Sequence, residues 1–383
     1  TGGEADQLRR DMAAWKRHGG LTKHEARLAE GFAKNGIPEA FAKRLYEQIK
    51  GFGEYGFPES HAASFALLVY ASAWLKVHHP AAFAVALLNS QPMGFYSPSS
   101  IVEDAKRHGI TVLPVCVHAS SWDSTLQDPR TFRIGLREVR GLPEEVGARI
   151  VEGRAHVLYT SVSDLELRAG LRKDHLVALA EAGALDAVTT APEGRGSRRR
   201  AAVWSALAPK ESPLFAAARS SHRAEPAPPS LDIAPLLPKL SREEQLLLDY
   251  ERTGLSVADH PMKIVRSRLP SGVLSSVELA RARHGARVRS AGVVLCRQRP
   301  MTASGVVFVT LEDEHGFVNL VLFSKTYEKL RHVATTSSML LVTGKVERQA
   351  EASEAPCVYV VVEGLERLTL RGKEVPKVSR DFR

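Results

Sequence analysis

Four basic residues near the start of the chain have the types and spacing needed to hold a nucleoside triphosphate. Arg9 and Arg10 are adjacent, and Lys16 and Arg17 follow one to two helical turns later. Arginine does not lose its proton near neutral pH, and its fork of N–H groups matches the oxygens of a phosphate. Triphosphate binding is one interpretation of this cluster; the other is a solvated helix face, which is the usual explanation of an isolated Arg-Arg pair.

A second polar pair, Ser60 and His61, follows a segment punctuated by glycine and proline and precedes a long apolar stretch. We predict that a helix begins at this pair, where unpaired backbone N–H groups favour anions. For His61, a capping or core role is the alternative. We predict that the helix body is buried, because its side chains are too apolar for a surface; they include Phe65, Leu67, Leu68, Val69, Trp74, Leu75 and Val77.

The densest positive region runs from Lys263 to Arg299 and holds eight arginines, one lysine and a single acid, Glu278. Phosphate binding at such a surface gains from the release of counterions. Aromatic side chains nearby could stack on bases, although a barrel core is the commoner place for them; they are Phe308, Phe317, Phe323, Tyr327 and Tyr359. The predicted DNA-binding residues are Arg287, Arg289, Arg297, Arg299, Phe308 and Lys345.

The net charge, the cysteine content and the lengths of the apolar runs indicate the kind of partner and the cellular compartment that suit this protein. A net charge of +9 and a pI near 9.5 favour polyanionic partners, nucleic acid first. The three cysteines are far apart and form no disulfide or zinc pattern, which suits a reducing cytoplasm. The sequence has no apolar run of about 18 residues, no signal peptide, no phosphate-binding Walker loop and no acidic triad, so we expect no membrane span and no metal site.

Local patterns predict a multidomain α+β protein. Capping boxes at Thr22 with Glu25 and at Ser241 with Glu244 mark helix starts. The order of strands and helices near the end, three strands, a helix and two strands, is that of an OB-fold β-barrel. The predicted divisions are a helical region at 1–118, tandem helix-hairpin-helix units at 119–190, a linker at 191–240, a helical and Arg-rich connector at 241–286, the OB-fold at 287–370 and a tail at 371–383.

The first predicted hairpin turns at Gly141-Leu142-Pro143. Loops of this kind usually carry two glycines, whose backbone N–H groups approach a DNA phosphate. Because Pro143 removes one of these donors, packing is as good an explanation of this loop as DNA contact. In the predicted linker, Arg198-Arg199-Arg200 is interpreted as a solvated basic run, with DNA contact as the less favoured alternative.

Three separated segments resemble the bacterial C-family DNA polymerases, which include the replicative polymerase III alpha subunit and its error-prone relatives. GEYGFPESHAASFALLVY resembles the family's GYGFNKSHAAAYALIAY, GGEADQLRRDM resembles GGADMLRRAM, and GVVFVTLEDEHGFVNLVLF resembles a run in the family's OB domain. Glu59 stands where replicative members have lysine, and Pro58-Glu59-Ser60-His61 is typical of the error-prone branch.

The resemblance implies that residues 1–118 belong to the polymerase fingers, with Arg9, Arg10, Lys16, Ser60 and His61 holding the incoming nucleotide. It implies Mg²⁺ bound by palm carboxylates upstream, no catalytic residue in this chain, and error-prone DNA-directed synthesis in repair, translesion synthesis and induced mutagenesis. The implied partners are template-primer DNA, deoxynucleoside triphosphates and translesion accessory proteins, in the cytoplasm. A sliding-clamp contact at Ser212–Phe215 is less favoured, since the upstream glutamine of clamp peptides is missing.

Two other functions stay open at this point. The first is a non-catalytic single-stranded DNA-binding protein with helical hairpins and an OB-fold. The second is an RNA-binding OB module attached to a synthetase-like enzyme, for which contacts to the 2′-hydroxyl would be required.

Overall fold

The computed structural model describes most of the chain, in two compact units, Thr1–Trp74 and Leu75–Arg383. The described residues are 22–55, 59–94, 96–189, 197–208, 237–300, 305–349, 357–376 and 380–382, together with Gly3 and Gln7. Arg9, Arg10, Lys16, the Ser212–Phe215 segment and the side chains of Ser60 and His61 lie outside this part of the chain.

The first unit contains helices α1 (Thr22–Lys34) and α2 (Glu39–Tyr55) and the start of α3 (Glu59–His78). Gly36 follows α1 with a positive φ of 68°, a backbone conformation that glycine adopts readily and that ends a helix. The α2 helix continues through Gly51, because one glycine costs a helix only about 1 kcal/mol.

The prediction that the body of α3 is buried is wrong for the described chain. Its large apolar side chains are between 43% and 74% exposed; they are Phe65, Leu67, Leu68, Val69, Tyr70, Trp74, Leu75 and Val77. Apolar composition indicates that a helix needs a packing surface, and it does not indicate which residues provide that surface. Among the described helices, none is long and apolar enough to cross a membrane.

The second unit begins with two helices and a small sheet. Helices α4 (Pro80–Asn89) and α5 (Pro98–Arg107) lead into strands β1 (Thr111–Leu113), β2 (Thr125–Asp128) and β3 (Thr131–Arg133). β3 lies in the middle, parallel to β1 and antiparallel to β2. A turn at Asp128-Pro129 joins β2 to β3, and the Asp128 carboxylate accepts from the backbone N–H of Arg130.

The tandem hairpins follow. A 3₁₀ turn at Leu136–Glu138 precedes α6 (Glu144–Gly153), and α7 (Val162–Ala169), α8 (Lys173–Glu181) and α9 (Arg198–Leu207) complete the bundle. Fully buried Ile150, Leu165, Leu176 and Leu179 share one core with the small sheet.

Helix α9 corrects the interpretation of residues 191–240 as linker throughout. Ala202 and Ala206 of α9 are buried in the hairpin core. Arg199 is nine-tenths buried and donates to Asp249 over 2.7 Å, so the Arg198–Arg200 run is not simply a solvated face. Three consecutive charged residues give no apolar periodicity from which a helix could be predicted. The long apolar stems of arginines can nevertheless cover a surface while their guanidinium groups bond elsewhere.

Short elements connect the hairpins to the barrel. They are α10 (Arg242–Arg252), α11 (Pro261–Val265), a 3₁₀ turn at Arg266–Arg268, β4 (Val273–Leu274) and α12 (Ser276–Arg281). The predicted capping box of α10 is confirmed, since the Glu244 carboxylate accepts from the Ser241 N–H over 2.9 Å. Leu246 and Tyr250 of α10 pack in one core with Met339 and Leu341 of the barrel.

The barrel has the predicted order of elements. Its strands are β5 (Arg287–Gln298), β6 (Val307–Glu312), β7 (Phe317–Leu322), β8 (Met339–Gln349) and β9 (Cys357–Arg367), with α13 (Ser324–Thr336) between β7 and β8. β5 pairs with β6 and also with β8, which closes the barrel. The short strand β10 (Arg380–Phe382) pairs with the end of β5.

Three consecutive carboxylates at the β6–β7 turn, here called the acidic turn, hold the barrel to its surroundings. Glu312 accepts from Arg107 of α5 over 2.9 Å. Asp313 accepts from the N–H and hydroxyl of Ser276 at the start of α12, each over 2.6 Å. Glu314 pairs with Arg266 over 2.7 Å. The turn is thus fixed from three directions.

The buried position of Glu312 predicts a pH-dependent stability. Burial raises the pKa of Glu312 from 4.5 to about 8, while the charge of Arg107 opposes this shift. In the unfolded chain the carboxyl ionises near 4.5, so between that pH and about 8 the folded state binds more protons, and stability falls as the pH rises. We predict that Glu312→Gln matches the wild type at about pH 5 and exceeds it in melting temperature at about pH 8.

Thermal unfolding of both proteins across this range measures the difference. Burial lowers the pKa of His260 to about 4, and this second effect is common to both proteins and cancels in the comparison. A variant less stable than the wild type at every pH would instead show that the Arg107 ion pair outweighs the cost of burying the charge.

Candidate nucleic-acid interface

The register of the barrel strands aligns three predicted DNA-binding residues across its outer surface. Arg287 pairs with Lys345, Lys345 with Val361, Val361 with Val321, and Val321 with Phe308. We call these five residues the outer row. Four strand spacings separate its ends, so the row runs about 19 Å around the barrel, from two cations to an aromatic ring.

Alternation along each strand explains why the row faces outward. Phe308 is 38% exposed, whereas its neighbours Val307 and Val309 are buried in the barrel core. Likewise Leu320 and Leu322 point inward, and Val321 between them is partly exposed. A period of two places successive side chains on opposite faces of a strand, so the core residues fix the outward direction of the row.

The cationic end of the row is part of a larger positive surface. Residues 281–289 hold four arginines and no acid, and Arg289 lies two residues beyond Arg287 on the outward side of β5. Arg287 pairs with Glu363 over 2.7 Å while 73% of its side chain stays exposed. Lys345 has no carboxylate partner among the described residues. Phosphate groups would therefore find cations at this end that are largely free to bind them.

Two of the arginines that were predicted to bind DNA, Arg297 and Arg299, make contacts within the protein. Arg297 is buried and donates to the backbone carbonyls of Ala334 and Ser337, so it fixes the end of α13 and is not part of a DNA surface. Arg299 lies at the opposite end of β5, 5.3 Å from the ring centroid of Tyr327. No sequence pattern distinguishes Arg297 from the neighbouring arginines, because the carbonyl groups that it bonds lie about 40 residues further along the chain.

The aromatic residues divide between core and surface. Tyr327 is buried, in line with the barrel-core interpretation. Phe308, Phe317 and Phe323 are between 38% and 51% exposed, so that interpretation is wrong for these three. Tyr359 is partly buried and donates to Glu347 over 2.9 Å. Phe308 of β6, Phe317 of β7 and Phe323, which directly follows β7, have exposed rings of the flat apolar kind that unpaired bases stack on.

The two hairpins differ at the helix starts that would meet a phosphate. Gly141 has a positive φ of 87°, as a tight turn requires, but Glu144 and Glu145 occupy the first turn of α6. Their carboxylates would repel a phosphate. This arrangement favours the packing explanation of the Gly141-Leu142-Pro143 loop over DNA contact.

The second hairpin starts its helix with basic residues. Gly170 precedes α8 with a φ of 61°, and Arg172 and Lys173 follow. Arg172 bonds Asp174 in a bidentate manner and lowers the pKa of that carboxyl to about 2. Burial lowers the pKa of His175, and among the described residues at this helix start Lys173 has no carboxylate partner.

The start of α3 agrees with its sequence prediction. The helix begins at Glu59, so Ser60 and His61 lie in its first turn. The part of the chain that the structure describes contains no group of three or more His, Cys, Asp or Glu side chains arranged to bind a metal ion.

Sequence analysis missed Arg107 as a member of this surface. Its guanidinium carbon lies 5.1 Å from the ring centroid of Phe317, and the two residues are far apart in the chain. Arg107 ends an ordinary amphipathic helix, so no local pattern distinguishes it from a solvated arginine.

Comparisons with known proteins identify the same regions. A family model described as a helix-hairpin-helix motif matches residues 109–200. Another, described as an OB-fold nucleic acid binding domain, matches residues 287–368. Among solved structures, the asparaginyl-tRNA synthetase from Pyrococcus horikoshii complexed with asparaginyl-adenylate is 21% identical over 28% of this chain and 24% of its own, with a TM-score of 0.23. That similarity is too low to support an argument about fold or function.

Curated relatives match this chain over almost its whole length. The error-prone DNA polymerase of Dechloromonas aromatica is 46% identical over 385 residues, which cover 100% of this chain and 35% of the relative. That of Pseudomonas paraeruginosa is 48% identical and covers 99% of this chain and 36% of the relative. The chain thus spans about a third of the length of these relatives. On this match, the chain belongs to the family of error-prone DNA polymerases.

Proposed function

We propose that this chain is the template- and nucleotide-binding portion of an error-prone, DNA-directed DNA polymerase that acts in translesion synthesis and induced mutagenesis. The observation that carries the proposal is the outer row, which joins exposed cations to an exposed aromatic ring on a closed barrel. Single-stranded DNA needs both, because its phosphates are bound by charge and its unpaired bases by stacking.

The template strand would lie across the barrel with its phosphates toward Arg287, Arg289 and Lys345. Bases at the other end would stack on Phe308, whose position is set by the inward packing of Val307 and Val309. Stacking does not distinguish one base from another, since each has a π-face. Such a surface suits a polymerase that must hold any template sequence.

The incoming nucleotide would be held in the first unit. Ser60 and His61 lie in the first turn of α3, where backbone N–H groups favour an anion. Arg9, Arg10 and Lys16 would supply the positive charge that a triphosphate needs. Lys173 of the second hairpin is a candidate contact to a DNA backbone phosphate.

Polymerases of this type use Mg²⁺ to stabilise the charge that develops on the transferred phosphoryl group. The described residues do not fit such a site, because they contain no suitable group of carboxylates. The chain's own proposed contribution is therefore to bind and orient DNA and nucleotide. Translesion accessory proteins are expected partners of the whole polymerase.

Substitutions in the outer row test the template-binding role. We predict that Phe308→Ala weakens binding of single-stranded oligothymidine by roughly five- to a hundredfold, because it removes a stacking surface. Lys345→Ala should reduce the slope of log affinity against log salt concentration by about 0.7, the contribution of one phosphate contact. Fluorescence anisotropy at several salt concentrations measures both effects.

Two variants away from the row serve as matched controls. Phe41→Ala removes another half-exposed phenylalanine, and Lys329→Ala removes an exposed lysine of α13. Both should bind as the wild type does. Equal losses in all four variants, or none in Phe308→Ala and Lys345→Ala, would remove the outer row from the DNA-binding surface.

A kinetic experiment tests the nucleotide-binding role in the full-length polymerase. We predict that Arg9→Ala raises the apparent KM for the incoming nucleotide by roughly tenfold or more, since a charge-assisted hydrogen bond to phosphate is lost. Arg27→Ala, at an exposed pair with Glu30, is the control and should leave KM unchanged. An unchanged KM in Arg9→Ala would exclude this arginine from the nucleotide site.

A further inference from the structure

A second exposed aromatic ring lies on the outer face of the barrel, at the end nearest the helices. Phe317 is 49% exposed and begins β7, where it pairs with Glu312. Phe317, Asn319 and Val321 point outward, while the residues between them are buried. Because Val321 is the cross-strand partner of Phe308, the two rings lie four residues apart along the strands, or about 13 Å.

Arg107 fixes the ring of Phe317 from one side. Its guanidinium carbon lies 5.1 Å from the ring centroid, a distance at which the cation is attracted to the π-face. The same guanidinium donates to Glu312 over 2.9 Å, which restrains it. A ring covered on one face by a restrained cation presents its other face to solvent.

The three carboxylates of the acidic turn, which begins opposite this ring, are each bonded to a protein group. Glu312 is bonded to Arg107, Asp313 to Ser276, and Glu314 to Arg266. Glu312 is buried and Asp313 is fully buried, so neither projects toward solvent beside Phe317. A phosphate that passes this end of the barrel therefore meets less repulsion than three adjacent acids would suggest.

The arrangement is not one that stability alone favours. The Nη2 group of Arg107 is buried and has no hydrogen-bond acceptor among the described residues. An unsatisfied buried donor costs about 1–3 kcal/mol, and a buried ion pair is by itself weak evidence of stabilisation. The position of this unsatisfied guanidinium beside an exposed ring suits a role in binding better than a role in packing.

We propose that Phe317 is a second base-stacking position for single-stranded DNA and that Arg107 is the positioning residue that orients its ring. This inference rests on the proposed template-binding function of the outer row. It extends the bound strand lengthwise along β6 and β7, from Phe308 toward helix α5. The helical region then contributes directly to the surface that holds the strand.

Oligothymidines of graded length, from about 4 to 16 nucleotides, test this extension by fluorescence anisotropy on the 383-residue chain. Wild-type affinity should rise with length until the strand reaches both rings. Phe317→Ala should bind the shortest oligonucleotides as the wild type does, lose roughly five- to a hundredfold for the longest, and reach its plateau at a shorter length. Phe308→Ala should lose affinity at every length.

Variants at two positions separate stacking from structural damage. Phe317→Trp should retain the affinity of the wild type for long oligonucleotides, whereas Phe317→Leu should bind as Phe317→Ala does. Arg107→Ala should weaken binding only where Phe317 is present, so that its effect disappears in the double variant with Phe317→Ala. Arg107→Lys keeps the charge and shows whether the planar guanidinium is needed.

The outcomes distinguish the two proposals. Loss of affinity in Phe308→Ala but not in Phe317→Ala would overturn the second stacking position and leave the outer row intact. No loss in either would overturn the template-binding function itself. An Arg107→Ala effect of equal size with and without Phe317 would assign Arg107 to the fold and not to the positioning of the ring.

Discussion

The acidic turn between β6 and β7 is the constraint on which the position of the barrel depends. Glu312 bonds α5, Asp313 bonds α12, and Glu314 together with Asp313 bonds Arg266, so the barrel is held against α5, α12 and the turn that contains Arg266 at one point. A single ion pair at a surface would contribute little. Three directional bonds from consecutive residues instead define an orientation, because no rotation of the hairpin preserves all of them.

That orientation matters for the outer face. The β6–β7 hairpin carries Phe308 and Phe317, and its far end is the acidic turn. Any motion of the turn would therefore move the surface on which bases are proposed to stack. The same residues that restrain the hairpin thus set the direction of the bound strand relative to the helical hairpins.

Local patterns were sufficient to predict much of this architecture. Alternation of apolar and polar residues predicted the strands of the barrel, and the pair Ser241 and Glu244 predicted the start of α10. Alternation also placed Phe308 and Lys345 on strands, and the register then brought them into one row. These features depend on residues within a few positions of each other, where sequence is most informative.

Other features depend on contacts between distant residues and could not be predicted. Arg287 and Arg297 are equivalent in sequence, yet one faces solvent and the other bonds carbonyls of α13. The exposed body of α3 is a second example, because the apolar composition of a helix does not indicate which residues, if any, cover it. Arg107 joined the candidate surface only through the fold.

Helix α10 has a consequence for how the barrel can be inherited. Leu246 and Tyr250 share a core with Met339 and Leu341, and Ser99 of α5 bonds the hydroxyl of Tyr250 over 2.9 Å. A segment beginning at Arg287 would leave half of that core behind. The segment that recombination would have to transfer with this barrel is thus longer than the OB-fold itself. It must include α10, or other residues must replace the apolar face that α10 packs against the barrel.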